Sequence, residues 1–342
     1  MSISDDEPQG YDPHHTMYHI TKPLRAASLT DKHTGELLHK DLRFPLVGSP
    51  KIDGIRCLTF ADVLGLGQAL SRSFKPIANI ATRSVLAALR VNLDGELIVR
   101  TPHAGANYNN PKGWEPFTNH PDGRPGISSQ IMSHDGTPNF SYIVFDCHSH
   151  PSYPYTNRLM QASEAVAEII AKDTFNIAQV QLLDHRVIHS LQEMLEYEEW
   201  CLMQGYEGIM LRDPNGYYKS GQSTLKQQTL LKLKRHQDDE ATIIDMTEMM
   251  HNENEAGVNE TGGVQRSKQS AGLIGAGVMG TLVVQHPVFG TFEIGTGFTY
   301  AEREAFWARQ SHYFNKPVTF KYQPYGTKDK PRGPVFRNVR LD

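Results

Sequence analysis

The chain has 342 residues, enough for two domains with buried cores. Its 21% charged and 39% hydrophobic residues are typical of a globular protein and exclude a disordered or membrane-embedded chain. The net charge of -4 excludes a basic field over the whole surface as the means of binding a polyanion. The three cysteines, Cys57, Cys147 and Cys201, form neither a CxxC pair nor a disulfide framework, which is typical of a reducing compartment.

The N-terminal residues 1–17 are polar and contain Pro8, Gly10 and Pro13, which predicts a disordered arm. They lack the basic start and apolar run of a signal peptide. No later segment reaches the about 20 apolar residues that a membrane span needs. We therefore expect a cytoplasmic protein without membrane contact.

Short apolar runs separated by Gly and Asp extend from Leu46 to Ile98 and predict antiparallel strands and hairpins. Residues 101–139 are rich in Pro, Gly and Asn, which predicts a long loop, and SYIVFDCHS after it reads as the next strand. The first domain therefore continues beyond the loop.

Two helices are predicted further on. NRLMQASEAVAEIIAKD places its apolar residues on one helical face. The second helix begins at Ser190, where Glu193 completes a capping box, and ends near Gly205. Because these helices alternate with strands around EGIMLRD and LLKLKR, residues 18–236 are predicted to form an α+β domain.

A second domain is predicted over 237–342, where ATIIDM, GTLVVQH, GTFEIGT and PVTFKYQ read as strands and Thr299 with Glu302 caps one helix. Four or five strands with one helix predict a small OB-fold β-barrel. A Gly-rich insert at 251–280 is typical of a disordered connector. Its GAGVMG matches the dinucleotide fingerprint, but no strand precedes it and no helix follows it, which excludes a Rossmann site.

Six residues stand in a fixed order on predicted strands: Lys51 in PKIDGIR, Glu96 at the strand start in LDGEL, Phe145 in YIVFD, Glu207 in YEGIML, and Lys232 and Lys234 in LLKLK. Each has a simpler explanation alone, because a Lys-x-Asp-Gly lysine is usually solvated in a hairpin and strand aromatics are usually core. Together they resemble the motifs of the lysine nucleotidyltransferases, a superfamily of DNA ligases, RNA ligases and capping enzymes. The chain is most similar to the small ATP-dependent DNA ligases of viruses, from Ile20 through the tail KPRGPVFRNVR.

This resemblance implies a nucleotidyltransferase domain with ATP-grasp-like antiparallel sheets and helices, followed by the OB-fold domain. It implies a monomeric ligase without an obligate protein partner that seals 5′-phosphate/3′-hydroxyl nicks in duplex DNA through lysyl-AMP and DNA-adenylate intermediates. ATP would donate the adenylate, and Mg²⁺ or Mn²⁺ would be the metal. Two rival interpretations remain: an RNA ligase or capping guanylyltransferase on the same scaffold, or a non-catalytic nucleic-acid-binding module that uses the barrel alone.

The resemblance also implies roles for the matching residues. Lys51 would form lysyl-AMP, Glu96 would hold the ribose hydroxyls, Phe145 would stack on adenine, Glu96 and Glu207 would bind the metal, Lys232 and Lys234 would grip the α-phosphate, and Arg332 would orient the leaving pyrophosphate. A lysine amine must lose its proton before it attacks, and its reference pKa is about 10.4. Cations around Lys51, including Arg56, are expected to lower that pKa.

Further residues match DNA contacts of the family, and three positions depart from the family pattern. Arg56 and Arg72 would contact the nick, and Arg266 and Lys268 would contact phosphates if the Gly-rich insert is a latch that closes over the duplex and is disordered without DNA. Ser49 replaces a glutamate that contacts the base in many relatives, so cofactor recognition would rest more on the backbone there. Gln222 stands where an arginine is expected, and Arg332 is followed by Gly-Pro rather than Phe-Pro.

Overall fold

The computed structural model describes residues 20–31, 35–61, 66–100, 126–172, 180–258, 264–266, 272–323 and 330–340. The chain forms two compact units. The first comprises the chain up to Leu29, His39–Glu198 and Ile209–Lys232, and the second comprises Thr30–Leu38, Glu199–Gly208 and Leu233–Asp342. The predicted arm, 1–17, lies outside the described residues, and the domain boundary at 236/237 stays a prediction.

Two five-stranded sheets form the framework of the first unit. The strands up to residue 233 are β1 (Leu24–Arg25), β2 (Ala27–Ser28), β3 (Leu46–Pro50), β4 (Ile55–Ala61), β5 (Gly67–Ser71), β6 (Leu93–Val99), β7 (Phe140–Cys147), β8 (Val180–Leu182), β9 (Arg186–Ile188), β10 (Ile209–Arg212), β11 (Gly221–Gln222) and β12 (Leu231–Leu233). One sheet has the order β5-β4-β6-β7-β8 and the other has the order β2-β12-β10-β3-β9, while β1 pairs with β11 alone. The helices are α1 (Ile80–Ala87), α2 (Ile127–Met132), α3 (Tyr155–Ala171) and α4 (Leu191–Gln204).

The core of the first unit lies between the β5-β4-β6-β7-β8 sheet and its helices. Ala162 and Val166 of α3 and Leu86 of α1 pack in one buried cluster with Leu97 of β6 and Val144 of β7. A fully buried Leu or Val side chain stabilises a fold by about 1.5–3 kcal/mol. β6 and β7 are covered almost along their whole lengths, and even the polar Asp94 and Ser141 of these strands are buried.

Two helices in this unit were not predicted. The stretch 46–98 was expected to contain only strands, but α1 lies within it, capped where the Asn79 side chain accepts a hydrogen bond from Thr82 N at 2.8 Å. The stretch 101–139 was expected to be a loop, but α2 forms its C-terminal part, and 101–125 lie outside the described residues.

The two predicted helices are confirmed as α3 and α4. At the start of α4 the Ser190 hydroxyl accepts a hydrogen bond from Glu193 N, and the Glu193 carboxylate accepts one from His189 N. Gly205 follows α4 with a φ of 96°, the left-handed conformation that ends many helices. None of the helices in the described ranges is long and apolar enough to cross a membrane.

The second unit is built on one sheet of order β17-β16-β13-β18-β19. Its elements are β13 (Gln237–Asn252), β14 (Ala256–Val258), β15 (Val264–Arg266), β16 (Leu273–His286), β17 (Gly290–Ile294), β18 (Pro317–Gln323), β19 (Arg332–Val339), α5 (Tyr300–Ala308) and α6 (Gln310–Tyr313). The predicted capping box is confirmed at the start of α5, where Thr299 and Glu302 exchange hydrogen bonds. A second helix, α6, was not predicted.

The sheet of the second unit does not close into the predicted barrel. Within the described ranges no ladder of hydrogen bonds joins the edge strands β17 and β19, and one isolated bridge pairs Thr296 with Val335. Phe336 N donates to Thr296 O at 2.8 Å beside that bridge. The domain is therefore OB-like, with the expected strands but an open edge.

The described parts of the Gly-rich insert are ordered strands. β13 and β16 continue their antiparallel pairing out to Asn252 and Leu273, and β14 pairs with β15. The expectation of disorder is therefore wrong for the strand residues 251–252, 256–258, 264–266 and 273–280, while 259–263 and 267–271 lie outside the described residues.

Candidate active site

Lys51 lies in the connection between β3 and β4, which belong to different sheets. The segment is therefore not a hairpin, and the simple explanation of Lys51 as a solvated hairpin lysine is wrong. Gly54 explains the Asp-Gly pair, because a Cβ atom at this position would lie 2.3 Å from Leu97 O and 2.9 Å from Glu96 Cγ. The connection thus passes directly over β6 at Glu96.

Glu96 was predicted at the start of a strand, but it lies in the middle of β6. Its cross-strand partner is Arg56 of β4, so the two side chains share one face of the sheet. Burial raises the pKa of Glu96 from 4.5 to about 7, although the charges of Lys51 and Arg56 oppose this shift. The structure therefore brings Lys51 and Glu96 within electrostatic range of each other.

The raised pKa of Glu96 predicts a pH effect on the stability of the protein without nucleotide or metal. Because the folded pKa lies above the unfolded value, the stability that protonated Glu96 contributes is complete below pH 4.5 and is lost as the pH rises through about 7. We expect Glu96→Gln, which mimics the protonated form, to match the wild-type thermal midpoint near pH 5 and exceed it at pH 8. A constant difference between pH 5 and pH 8 would contradict this assignment.

Phe145 occupies a bulge in β7. Asp94 pairs with Asp146 but Gly95 pairs with Val144, so Phe145 is the extra residue between them. A bulge turns one side chain out of the normal alternation, and Phe145 is accordingly half-buried in an otherwise buried strand. Its ring packs against a cluster that contains Ile52, the residue after Lys51.

Arg56 holds three segments of the first unit together. Its Nε and Nη2 donate to the Asp94 carboxylate at 2.7 and 2.5 Å, and its Nη1 donates to Leu24 O at 2.8 Å. The Tyr218 hydroxyl donates to the same carboxylate at 2.5 Å. Burial lowers the pKa of Arg56, but attraction to Asp94, Tyr218 and Glu96 and the hydrogen bonds to Asp94 together outweigh burial and raise it. The guanidinium also lies 5.3 Å from the Phe145 ring centroid.

In the second unit the structure brings together three of the predicted site residues. Glu207 Oε1 lies 2.5 Å from Lys234 Nζ and 3.4 Å from Arg332 Nη1. Gly208 has a φ of 136°, and a Cβ atom there would lie 2.1 Å from Leu233 O. Glycine therefore lets the chain after Glu207 approach Leu233 closely, at the end of β12. Lys234 is the next residue. We call Glu207, Lys234 and Arg332 the ion triad.

The remaining predicted site residues are placed separately. Ser49 is buried in β3 and Lys232 is half-buried in β12, both in the first unit, where Arg72 is exposed after β5. Arg266 is exposed, and its guanidinium donates to Asn254 O. Lys268 lies outside the described residues. Gln222 has a local structural contact, since its Nε2 donates to Ala26 O at 2.6 Å.

A buried charge cluster lies behind Phe145 and was not predicted; it is formed by Asp146, Arg158 and Arg212. Arg158 Nε and Arg212 Nη1 contact the Asp146 carboxylate at 2.9 and 2.5 Å. Burial would raise the pKa of Asp146, but Arg212 and Arg158 outweigh it and lower the pKa. Arg212 also lies 5.7 Å from the Phe145 ring centroid. The available signal was Arg158, a charged residue on the apolar face of α3, four positions before Ala162.

Comparisons with known proteins show the family of the chain. Residues 27–234 match the family model "ATP dependent DNA ligase domain", and residues 275–340 match "DNA ligase OB-like domain". The chain is 32% identical to the Chlorella virus DNA ligase-adenylate, covering 94% of this chain and 100% of that chain, with a TM-score of 0.47. A Lig E DNA ligase is 22% identical, covering 92% of this chain and 99% of that chain, and its TM-score of 0.58 supports the fold. No curated protein sequence matches. The family model over residues 27–234 and the identity to the Chlorella virus enzyme together show that the chain belongs to the ATP-dependent DNA ligase family.

Proposed function

We propose that this ATP-dependent DNA ligase seals nicks with Lys51 as the residue that carries AMP. The observation that supports the proposal is the crossing of the Lys51 connection over β6, which sets Lys51 beside Glu96 and joins Ile52 to the cluster around Phe145. An amine, a carboxyl group that can accept ribose hydroxyls and an aromatic ring then line one region of the first unit.

The chemistry consists of three transfers. The deprotonated Lys51 amine attacks the α-phosphorus of ATP, a P–N bond forms, and pyrophosphate leaves. The 5′-phosphate at the nick then attacks the same phosphorus, the P–N bond breaks, and AMP passes to the DNA. The 3′-hydroxyl finally attacks the DNA phosphate, its proton is lost, and AMP leaves. Nearby positive charges stabilise the charge that develops on the phosphorus oxygens.

The side chains fit ATP as the family requires. Glu96 would hold the ribose, Phe145 would stack on adenine, and Lys232 would contact the α-phosphate. In the second unit the ion triad offers Lys234 and Arg332 as phosphate ligands. Both cations are paired with the Glu207 carboxylate in the structure, so an anionic ligand would compete with Glu207 for them.

The donor set also fits the divalent metal that the family requires. Carboxylate oxygens are the ligands that Mg²⁺ and Mn²⁺ prefer, and Mg²⁺ keeps several waters, so Glu96 in the first unit and Glu207 in the second would each offer a suitable protein ligand. Across the described ranges no three His, Cys, Asp or Glu residues cluster as a ready metal site. When bound, the ion neutralises charge on the phosphates. If Lys234 and Arg332 bind phosphate instead of Glu207, the Glu207 carboxylate would become available to the metal ion.

We further propose the DNA-binding part of the enzyme. Arg72 and Arg266 are exposed and suited to phosphate contacts, and Lys268 completes the set by resemblance. The Gly-rich insert would act as the latch over nicked duplex. We propose that the enzyme acts as a monomer without an obligate protein partner, in the compartment that contains its DNA.

Mass spectrometry after incubation with ATP and Mg²⁺ tests the proposal directly. We expect one added adenylate on the peptide that contains Lys51, acid-labile as a phosphoramide, and release of AMP when nicked duplex is added. GTP in place of ATP separates the rival capping guanylyltransferase, which would place guanylate there. Adenylate on another side chain, or none, would overturn the assignment of Lys51.

A further inference from the structure

The hairpin arm of the second unit is an extension of two sheet strands. We define it as Glu248–Asn252 of β13 with Leu273–Gly280 of β16, the paired strands that lead into the proposed latch. Its base lies where β16 passes the last residue paired with β17, since that ladder begins at Leu282 with Ile294. Beyond this point β16 has β13 as its partner on one side only.

The pairing is irregular at the base of the arm. Thr247 pairs with Thr281, but Glu248 pairs with Met279, so Gly280 is an extra residue. A second shift follows before Met250, which pairs with Gly275. Extra residues of this kind bend a strand and increase its twist. The direction of the arm is therefore set at Met279 and Gly280.

Arg303 of α5 occupies this bend. Its Nη1 donates to Met279 O at 3.0 Å and to Gly280 O at 2.5 Å, and its Nη2 donates to Gly295 O at 2.7 Å, just after β17 ends. One guanidinium thus takes the carbonyl groups on both sides of the point where β16 and β17 separate. The central carbon of the guanidinium lies 5.2 Å from the Phe298 ring centroid, within the range of a cation–π contact.

Arginine suits this position because its planar fork holds several acceptors in a fixed geometry. A lysine ammonium is a compact point charge on a flexible stem and imposes no such plane. The half-buried Arg303 side chain donates to three backbone carbonyls on two segments, Met279 and Gly280 of β16 and Gly295 after β17. Its hydrogen bonds connect β16 to the end of β17 at the base of the arm.

We infer that Arg303 is a positioning residue for DNA binding, which fixes the angle at which the arm leaves the sheet. The inference rests on the proposed function, in which the arm closes over nicked duplex. Arg303 acts through the arm, so its loss weakens nick binding while AMP transfer to Lys51 from ATP proceeds at the wild-type rate.

A double-mutant cycle tests this inference. The variants are Arg303→Gln, a short-arm protein in which Asn-Gly replaces residues 251–274 between the paired Met250 and Gly275, and the combination of both. Nick affinity is measured by equilibrium binding, and lysine adenylylation and the thermal midpoint are measured beside it. Arg309→Gln is the control, because it removes the same charge from an exposed position at the end of α5.

We expect Arg303→Gln to weaken nick binding about tenfold in the full-length arm and to add less than about twofold in the short-arm protein. Arg303→Lys should recover only part of the loss. Arg309→Gln should change nick affinity no more than the removal of any other single exposed charge does. Equal losses in both backgrounds, or a parallel fall in adenylylation, would show that Arg303 only stabilises the sheet, and the proposed latch would stand. If the short-arm protein binds nicks with wild-type affinity, the insert is not a latch, and the proposed role of Arg303 is also contradicted.

Discussion

Replacing Lys51 with alanine is expected to lower ATP-dependent nick sealing by about 10⁴-fold or more, the scale of loss seen when a covalent nucleophile is removed. The reason is chemical, since alanine has no group that forms a P–N bond with the α-phosphorus. Lys51 is half-buried beside β6, and PKIDGIR contains no other lysine that could take its place. The measurement is the rate of nick sealing with ATP and Mg²⁺.

A pre-adenylylated nick provides the control for this prediction. Its last step needs no lysyl-AMP, so Lys51→Ala should seal it within about tenfold of the wild-type rate. Lys172→Ala is the matched variant, because Lys172 is an exposed lysine of the same unit that pairs with Glu168 at 3.5 Å. It should seal both substrates normally. Equal losses on both nicks would mean that Lys51→Ala damages the fold rather than the first chemical step.

Asp146→Ala is expected to destabilise the protein by about 3–5 kcal/mol, the usual cost of leaving a buried charge without its partner. Arg158 is completely buried and Arg212 nearly so, and both direct nitrogen atoms at the Asp146 carboxylate. Alanine would remove the carboxylate that both buried guanidinium groups contact. Urea unfolding followed by a signal from the first unit measures the change.

Two comparisons make the result at Asp146 specific. Asp135→Ala removes a carboxylate that contacts His134 at 3.0 Å but is 93% exposed, and little change in stability is expected. Replacing Asp146, Arg158 and Arg212 together with apolar residues should recover much of the lost stability, because no uncompensated charge remains. If Asp146→Ala unfolds at the wild-type urea concentration, the cluster is not a stabilising unit.

Local patterns in the sequence were sufficient for many elements of the fold. The apolar runs of β4, β6 and β7, the one-sided face of α3 and the capping residues of α4 and α5 all express short-range rules of spacing and hydrogen bonding. α1 was missed because its eight residues lie in a stretch of β-type runs, although Asn79 is a good N-cap. The open edge between β17 and β19 depends on long-range strand placement, which no local pattern encodes.

The same division applies to the site. The linear motifs pointed to Lys51, Glu96, Phe145 and Glu207, because family motifs keep chemical residues in order. The partners that hold them were not predictable, since Arg56 meets Asp94 over 38 positions and Arg212 meets Asp146 over 66. Such pairs are fixed by the sheet register. The roles of the motif residues themselves stay predictions until the variants are measured.

The bulge in β7 makes one short segment serve two purposes. In a regular strand Phe145 and Asp146 would point to opposite faces, and each could change without the other. Here the extra residue that turns the ring outward also sets where the next carboxylate enters the core. A change in this strand that moves the Phe145 ring therefore also moves the carboxylate that holds Arg158 and Arg212, and a one-residue insertion or deletion in β7 would displace both side chains at once.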